Sequence, residues 1–211
     1  MGTRHLISVV LDGKYRVAQY GQWDGYFEGR GTEICKFIQN NLLIKKGFDK
    51  FKIAVNNCKF ISNDKTIEEK FNEFEKSKES YEKKMSLEEK LEKPYQGKGF
   101  QFSRDCSSYT LQIILDNNGS ELVDSSDFAN DSLFCEYAYV LDLDKKILET
   151  YVGFNKGNLN KKERFYNGKK TKEGYSPIRL FKKIPFKKAV PGLMKKLEEE
   201  YRKEVEKEEK E

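Results

Sequence analysis

The chain predicts an α+β fold, an antiparallel sheet sandwich covered by helices, on three observations. A hairpin signal opens the sequence, a second strand-rich hairpin begins near residue 134, and the helical periodicities collect between the two instead of alternating with strands. With 211 residues the expectation is one domain spanning 1–211. Hydrophobic residues make up 37% and charged residues 36%, so the core must come from a subset of segments while the rest is solvated.

Leu6 to Leu11 is an apolar run rich in Ile and Val, and Asp12-Gly13 separates it from a strand pattern over Tyr15 to Tyr20. Asp-Gly between two such runs is a strong hairpin signal. After a glycine-punctuated stretch, Thr32 can cap a helix carrying Ile34, Phe37, Ile38 and Leu42 on one face. Phe48, Phe51 and Val55 repeat at helical spacing, and Cys58 to Ile61 ends that unit. Thr66 with Glu69 and Ser86 with Glu89 both read as capping boxes, marking two helices in a charged insertion over 64–94 that Pro94 and Gly97 to Gly99 close.

Tyr109, Leu111, Ile113, Ile114 and Leu115 predict a short, mostly buried helix closed by Asn117-Asn118-Gly119. From Phe134 to Leu141 both alternating sets are apolar, so a strand covered on two faces is expected. Asp142 to Lys146 turns it into Ile147 to Phe154, and Tyr175 to Phe186 is a further strand candidate. Pro191 starts a terminal helix with Leu193, Met194, Leu197, Tyr201 and Val205, which frays into a charged tail over 206–211.

No run of about 18 apolar residues occurs, and the N-terminus lacks the cationic start and small-residue cleavage site of a signal peptide. A cytoplasmic protein with no membrane partner is therefore expected. Cys35, Cys58, Cys106 and Cys135 show no CxxC and His5 is the sole histidine, which excludes the usual zinc spacings and leaves the cysteines as small core residues. No metal and no cofactor is expected.

The net charge of +5 is unevenly spread. Between Asn155 and Lys188 twelve Lys or Arg face Glu163 and Glu173, a net of +10 that leaves −5 for the remainder. Such a block can attract an anionic small molecule or a nucleic acid.

Chemistry concentrates in residues 19 to 32, QYGQWDGYFEGRGT, with the sole Trp, two Tyr and four glycines. Glycine permits close approach, aromatics offer stacking faces, and a helix N-terminus beyond Gly31 would present free N–H groups to an anion. The alternative is a tight turn that anchors Trp23 in the core. No GK[ST] follows and GxGxxG is absent, so neither dinucleotide nor Walker-type phosphate loops apply.

GTRHL, followed by AQYGQWDGY and a Gly-x-Gly, resembles a family found in bacteriophages, bacteria and fungi whose members read GTR[HN]L…AQYGQWDGYPxGQG. The match is dense over residues 1 to 38, with Phe27 replacing the family's Pro and Arg30 its Gln. Members with Asn at position 5 argue against catalysis by His5. The resemblance implies no activity, but its phage distribution implies sequestration of a nucleotide immune signal as a setting. The start of the chain also looks like N-terminal-nucleophile hydrolases, whose layered sheets fit the expected architecture and whose terminal Cys, Ser or Thr is the nucleophile. Here removal of Met1 would expose Gly2, so that chemistry would need a further cleavage to free Thr3.

The first functional reading is a binding protein for a small anionic, nucleotide-like ligand, using Arg4, His5, Gln19, Gln22, Trp23, Asp24, Tyr26, Arg30, Arg104 and Lys156. The alternative is a hydrolase, acting on amides through Thr3 or on phosphodiesters through His5 as acid or base, with Asp105 as orienter. A third is nucleic-acid binding through the basic segment 155–188, where Phe165, Tyr166 and Tyr175 interleave with the cations.

Overall fold

The computed structural model describes residues 2–83 and 85–208. Its organising strand is β1 (His5–Leu11), buried at every position. The Asp12-Gly13 turn, with both residues at positive φ, returns the chain into β2 (Lys14–Gly21), antiparallel to β1. The fold is α+β, with one departure from the expected antiparallel arrangement. β1 pairs in parallel with β5 (Tyr137–Asp142), which continues through antiparallel β6 (Ile147–Val152) and β7 (Arg179–Pro185), giving the order β2-β1-β5-β6-β7. A chain that sends its helices between two hairpins can return beside its first strand in either direction, and hydropathy alternation does not encode that choice. Among the described residues no second sheet faces the first; β3 (Lys59–Ile61) and β4 (Glu121–Val123) form a two-stranded parallel ribbon.

One face of the main sheet is covered by helices. The helical run after β2 begins at Phe27, five residues before Thr32, because π-type turns at Phe27–Gly31 and Ile38–Leu42 flank α1 (Thr32–Phe37). Thr32 is therefore inside the run and caps nothing; its hydroxyl lies 3.5 Å from the Phe27 carbonyl. α1, α2 (Gly47–Asn56), α5 (Tyr109–Asp116) and α6 (Pro191–Glu208) pack on Ile7, Val9, Tyr139, Leu141, Leu148 and Val152.

Between these helices lie α3 (Asp64–Glu82) and α4 (Leu87–Glu92). Ser86 and Glu89 form the expected capping box. At the start of α3, by contrast, the Asn63 side chain accepts from the Thr66 N–H at 3.3 Å, so Thr66 is helical and not a cap. Phe74 anchors this unit against Phe100 and Cys106. The end of the expected C-terminal tail, 209–211, lies outside the described residues, while Glu206 and Lys207 continue α6.

The opposite face of the sheet is covered by chain of little regular structure. Leu6, Val10, Ala138, Val140 and Tyr151 pack under Ala129, Phe165 and Ile178, most of this cover coming from the segment between β6 and β7. One charged side chain ties that strap to the sheet. Arg164 donates from Nε to Glu149 at 2.7 Å and from Nη2 to Asp142 at 2.8 Å, and both carboxylates are buried. Burial alone would push these carboxyls up, but hydrogen bonds from Lys145 and Arg164 to Asp142, and from Arg164 and Tyr151 to Glu149, hold both below their ordinary values.

Arg164 thus belongs to the basic block by composition and to the core by contact. Arg164→Ala leaves two buried carboxylates without their shared cation and should cost about 3 kcal/mol in urea unfolding at neutral pH. The loss should shrink as pH falls through the folded carboxyl values and protonation removes the stranded charge.

Candidate functional site

The glycine-rich loop is built around His5. At the start of β1 the imidazole points to the helix side of the sheet and is completely buried. A Cβ at Gly21 would lie 2.3 Å from its Nε2, and a Cβ at Gly25 would lie 2.8 Å from its Cβ. These two glycines are backbone surfaces against which the ring packs. Nε2 meets the Ser107 hydroxyl at 2.6 Å and Nδ1 faces the Thr3 carbonyl at 3.4 Å, so a ring protonated on Nδ1 satisfies both nitrogens while neutral. Burial is the main force that lowers the His5 pKa to about 3; the Thr3 carbonyl opposes the change and the Arg30 charge adds to it. Enclosed and uncharged, the ring fixes the loop in position, and nothing in this geometry lets it relay a proton to solvent.

The rest of the loop is bonded to itself and to the segment around Asp105. Trp23 is half exposed, and its Nε1 donates to the Asp105 carboxylate at 3.0 Å. The Arg30 side chain is 12% exposed; it donates to the Trp23 carbonyl at 3.2 Å and to Glu33 at 2.6 Å, with Asp24 at 3.7 Å. The Ser108 hydroxyl donates to the same Glu33 oxygen. Asp24 adopts φ 57° and its carbonyl accepts the Arg30 N–H, while the Gly29 N–H bonds to the Tyr26 carbonyl.

At the true start of the run the Phe27 N–H donates to Glu198 at 2.8 Å. The expectation that free N–H groups beyond Gly31 await an anion is therefore corrected: helical geometry starts earlier, and these donors have protein partners. Tyr26 packs its ring against Gly29.

Arg4 and its surroundings lie on the other face. Its guanidinium stacks 4.4 Å over the Phe134 ring and its main-chain N–H donates to Glu136; the Tyr20 hydroxyl donates to Gln22, and burial raises its pKa against the opposing charges of Arg4 and Arg104. The Arg104 carbonyl receives the Gln22 N–H. Gln19 is buried and bonds back to the Tyr20 carbonyl. Thr3 contributes its main-chain carbonyl, which accepts the Gly25 N–H. The structure thus gathers Thr3, His5, Trp23, Asp24, Arg30 and Asp105 into one bonded cluster, Arg4, Gln22 and Arg104 into another, and leaves Lys156 apart from both.

Lys156 lines a cleft of about 830 Å³ that sequence reasoning did not locate. The cleft lies where β5 begins, β6 ends and α6 passes. Tyr137 and Tyr201 meet edge to face at its base, with centroids 5.8 Å apart, while Phe154, Tyr175, Arg179 and Arg202 form its walls. Glu206 is its acidic lining residue. Arg179 pairs with Glu204 at 2.6 Å, Arg202 lies 3.5 Å from Glu198, and Lys156 sits 5.3 Å over the Tyr175 ring with no ion pair among the described residues.

The loop reaches this cleft through Phe27, fully buried and in ring contact with Tyr137, Phe181 and Tyr201. The sequence signal that could have found the cleft was the return of Lys156, Tyr175 and Arg179 in the basic block with aromatics on either side.

All four cysteines are buried and unbonded to one another. Burial raises the Cys35 and Cys106 thiols to about 12 and Cys58 to about 11, which leaves them inert as nucleophiles at neutral pH. Among the described residues no His, Cys, Asp and Glu cluster could hold a metal, and no helix is long and apolar enough to cross a membrane. Compared with family models, curated proteins and solved structures, the chain matches none.

The lowered His5 pKa predicts a pH dependence of stability. Its unfolded value is near 6.5 and its folded value about 3, so the unfolded chain binds more protons between them. This contribution is full above pH 6.5 and is lost as pH falls, by roughly 2 kcal/mol between pH 7 and pH 5. Urea unfolding at both pH values should show that loss, and His5→Asn, if folded, should remove that part of the slope.

Proposed function

We propose that the protein binds a small anionic, ring-bearing, nucleotide-like ligand in the cleft between β5, β6 and α6. The observation that carries this reading is the cleft's lining, with Lys156, Arg179 and Arg202 set among Tyr137, Phe154, Tyr175 and Tyr201. Aromatic faces supply stacking area and cations supply charge-assisted hydrogen bonds, the pairing that a phosphorylated ring requires. The pairing of Arg179 with Glu204 is about one-third exposed, and solvent-accessible ion pairs contribute only about 0 to 1 kcal/mol, so a phosphate can displace the carboxylate. Sequestration of a nucleotide signal remains the setting that the motif resemblance suggests. The enclosure of His5 and the depressed reactivity of the thiols favour binding over hydrolysis.

Calorimetric titration with ATP, a cyclic dinucleotide and inorganic tripolyphosphate tests the reading. Binding of at least one nucleotide is expected, weakened about tenfold or more by Lys156→Gln combined with Arg179→Gln, which corresponds to about 1.4 kcal/mol. Absence of binding to either nucleotide at millimolar concentration, or binding indifferent to these substitutions, overturns it.

A second reading rests on a different surface. Lys161, Lys162, Lys169 and Lys170 make no ion pairs among the described residues, and Tyr166 is exposed beside Lys161 and Lys170 in a shallow depression. These features suit a nucleic-acid backbone and a stacked base. Under this reading a mixed-sequence oligonucleotide shifts in a gel at low salt, and replacing the four lysines by Gln removes most of the affinity and makes what remains less dependent on salt. No shift with micromolar protein at low salt removes nucleic acid as a partner.

A further inference from the structure

Seven non-glycine residues among those described have positive φ, and six of them are Asp, Asn, Ser or Lys. The seventh is Phe154, at φ 52°. Short polar side chains tolerate that region, whereas a bulky residue there is an outlier that persists only when its surroundings impose it. At Phe154 they do. Its N–H donates to the Ser132 carbonyl at 2.7 Å, and the next N–H, of Asn155, donates to the Ser132 hydroxyl at 3.0 Å. The buried Asn155 side-chain amide then donates to the Pro177 carbonyl at 2.8 Å, and the Asn155 main-chain carbonyl accepts the Ser176 N–H at 2.8 Å.

Packing does not explain this conformation. Phe154 is 52% exposed and makes no ring contact among the described residues, whereas the two other exposed phenylalanines each have a partner, Phe71 against Phe74 and Phe134 under the Arg4 guanidinium. It stands instead in the wall of the cleft, two residues from Lys156, whose ammonium lies over Tyr175. The chain holds an apolar ring in a strained backbone, at a rigid position, facing solvent.

We infer that Phe154 is the stacking residue of the cleft and selects a planar base, with Lys156 and Arg179 meeting the phosphate attached to it. The ligand class is then a nucleoside phosphate, as distinct from a bare polyanion or a sugar phosphate. This rests on the binding reading above and adds to it the group that recognises the ring.

Phe154→Asn removes the ring and installs a residue at ease in the left-handed region, while Phe154→Trp keeps a stacking face. Titrations with ATP and with tripolyphosphate, together with thermal unfolding, separate the outcomes. Phe154→Asn should weaken ATP binding about tenfold, leave tripolyphosphate binding within about twofold, and keep Tm or raise it by roughly 2 to 4 °C as backbone strain is released. Phe154→Trp should bind ATP within about threefold of the unsubstituted protein. If Phe154→Asn binds ATP as tightly as that protein does, or if it lowers Tm by several degrees, the inference fails while the binding reading stands. If the unsubstituted protein binds no ATP, the inference falls too, and the cyclic dinucleotide titration decides the binding reading.

Discussion

A neutral imidazole sealed at the beginning of the central strand sets the terms for one whole end of this molecule. His5 has to lose its water and still satisfy two nitrogens, and it does so with one serine hydroxyl and one backbone carbonyl. The ring fills the space in front of β2, so the chain leaving that strand can pass only where it carries no side chain, at Gly21 and Gly25. The turn between them sends Trp23 outward to Asp105 and Phe27 inward to the aromatic cluster. An apolar side chain at position 5 would leave the Ser107 hydroxyl without its partner, at a cost comparable to a lost buried hydrogen bond.

The elements written in hydropathy and turn chemistry were legible in the sequence. The two hairpins, the short helix at Tyr109 and the terminal helix after Pro191 follow from alternation, from Asp-Gly and from i, i+3, i+4 spacing. What was not legible depends on pairings distant in the chain. The parallel union of β1 with β5 leaves no local mark, since a strand buried on both faces reads the same in either direction. The density of Gly, Trp and Arg in residues 19 to 32 was readable as a ligand loop because close packing on a ligand and close packing on a protein ring demand the same residues. Only the position of His5 distinguishes them.

The cleft shows the converse. Its cations and aromatics come from β5, the strap, the start of β7 and α6, so the basic block holds only part of them. Phe27 connects the two regions. Its ring packs against Tyr137, Phe181 and Tyr201, so that the loop supports the base of the cleft without lining it. Glu198 reinforces the connection by accepting from the Phe27 N–H and, at 3.4 Å, from the Tyr137 hydroxyl.

The strap across the other face is held by Arg164 on Asp142 and Glu149, by the Asn155 N–H on Ser132, and by the packing of Phe165 and Ile178. Four of its lysines, Lys161, Lys162, Lys169 and Lys170, make no ion pair among the described residues. Sequence change there can therefore redraw the electric field of the molecule, reversing its sign if enough lysines become acids, without touching the packing that defines the fold. A surface of this kind can drift quickly in charge while its anchors stay constrained, which separates the rate at which the exterior adapts from the rate at which the core can.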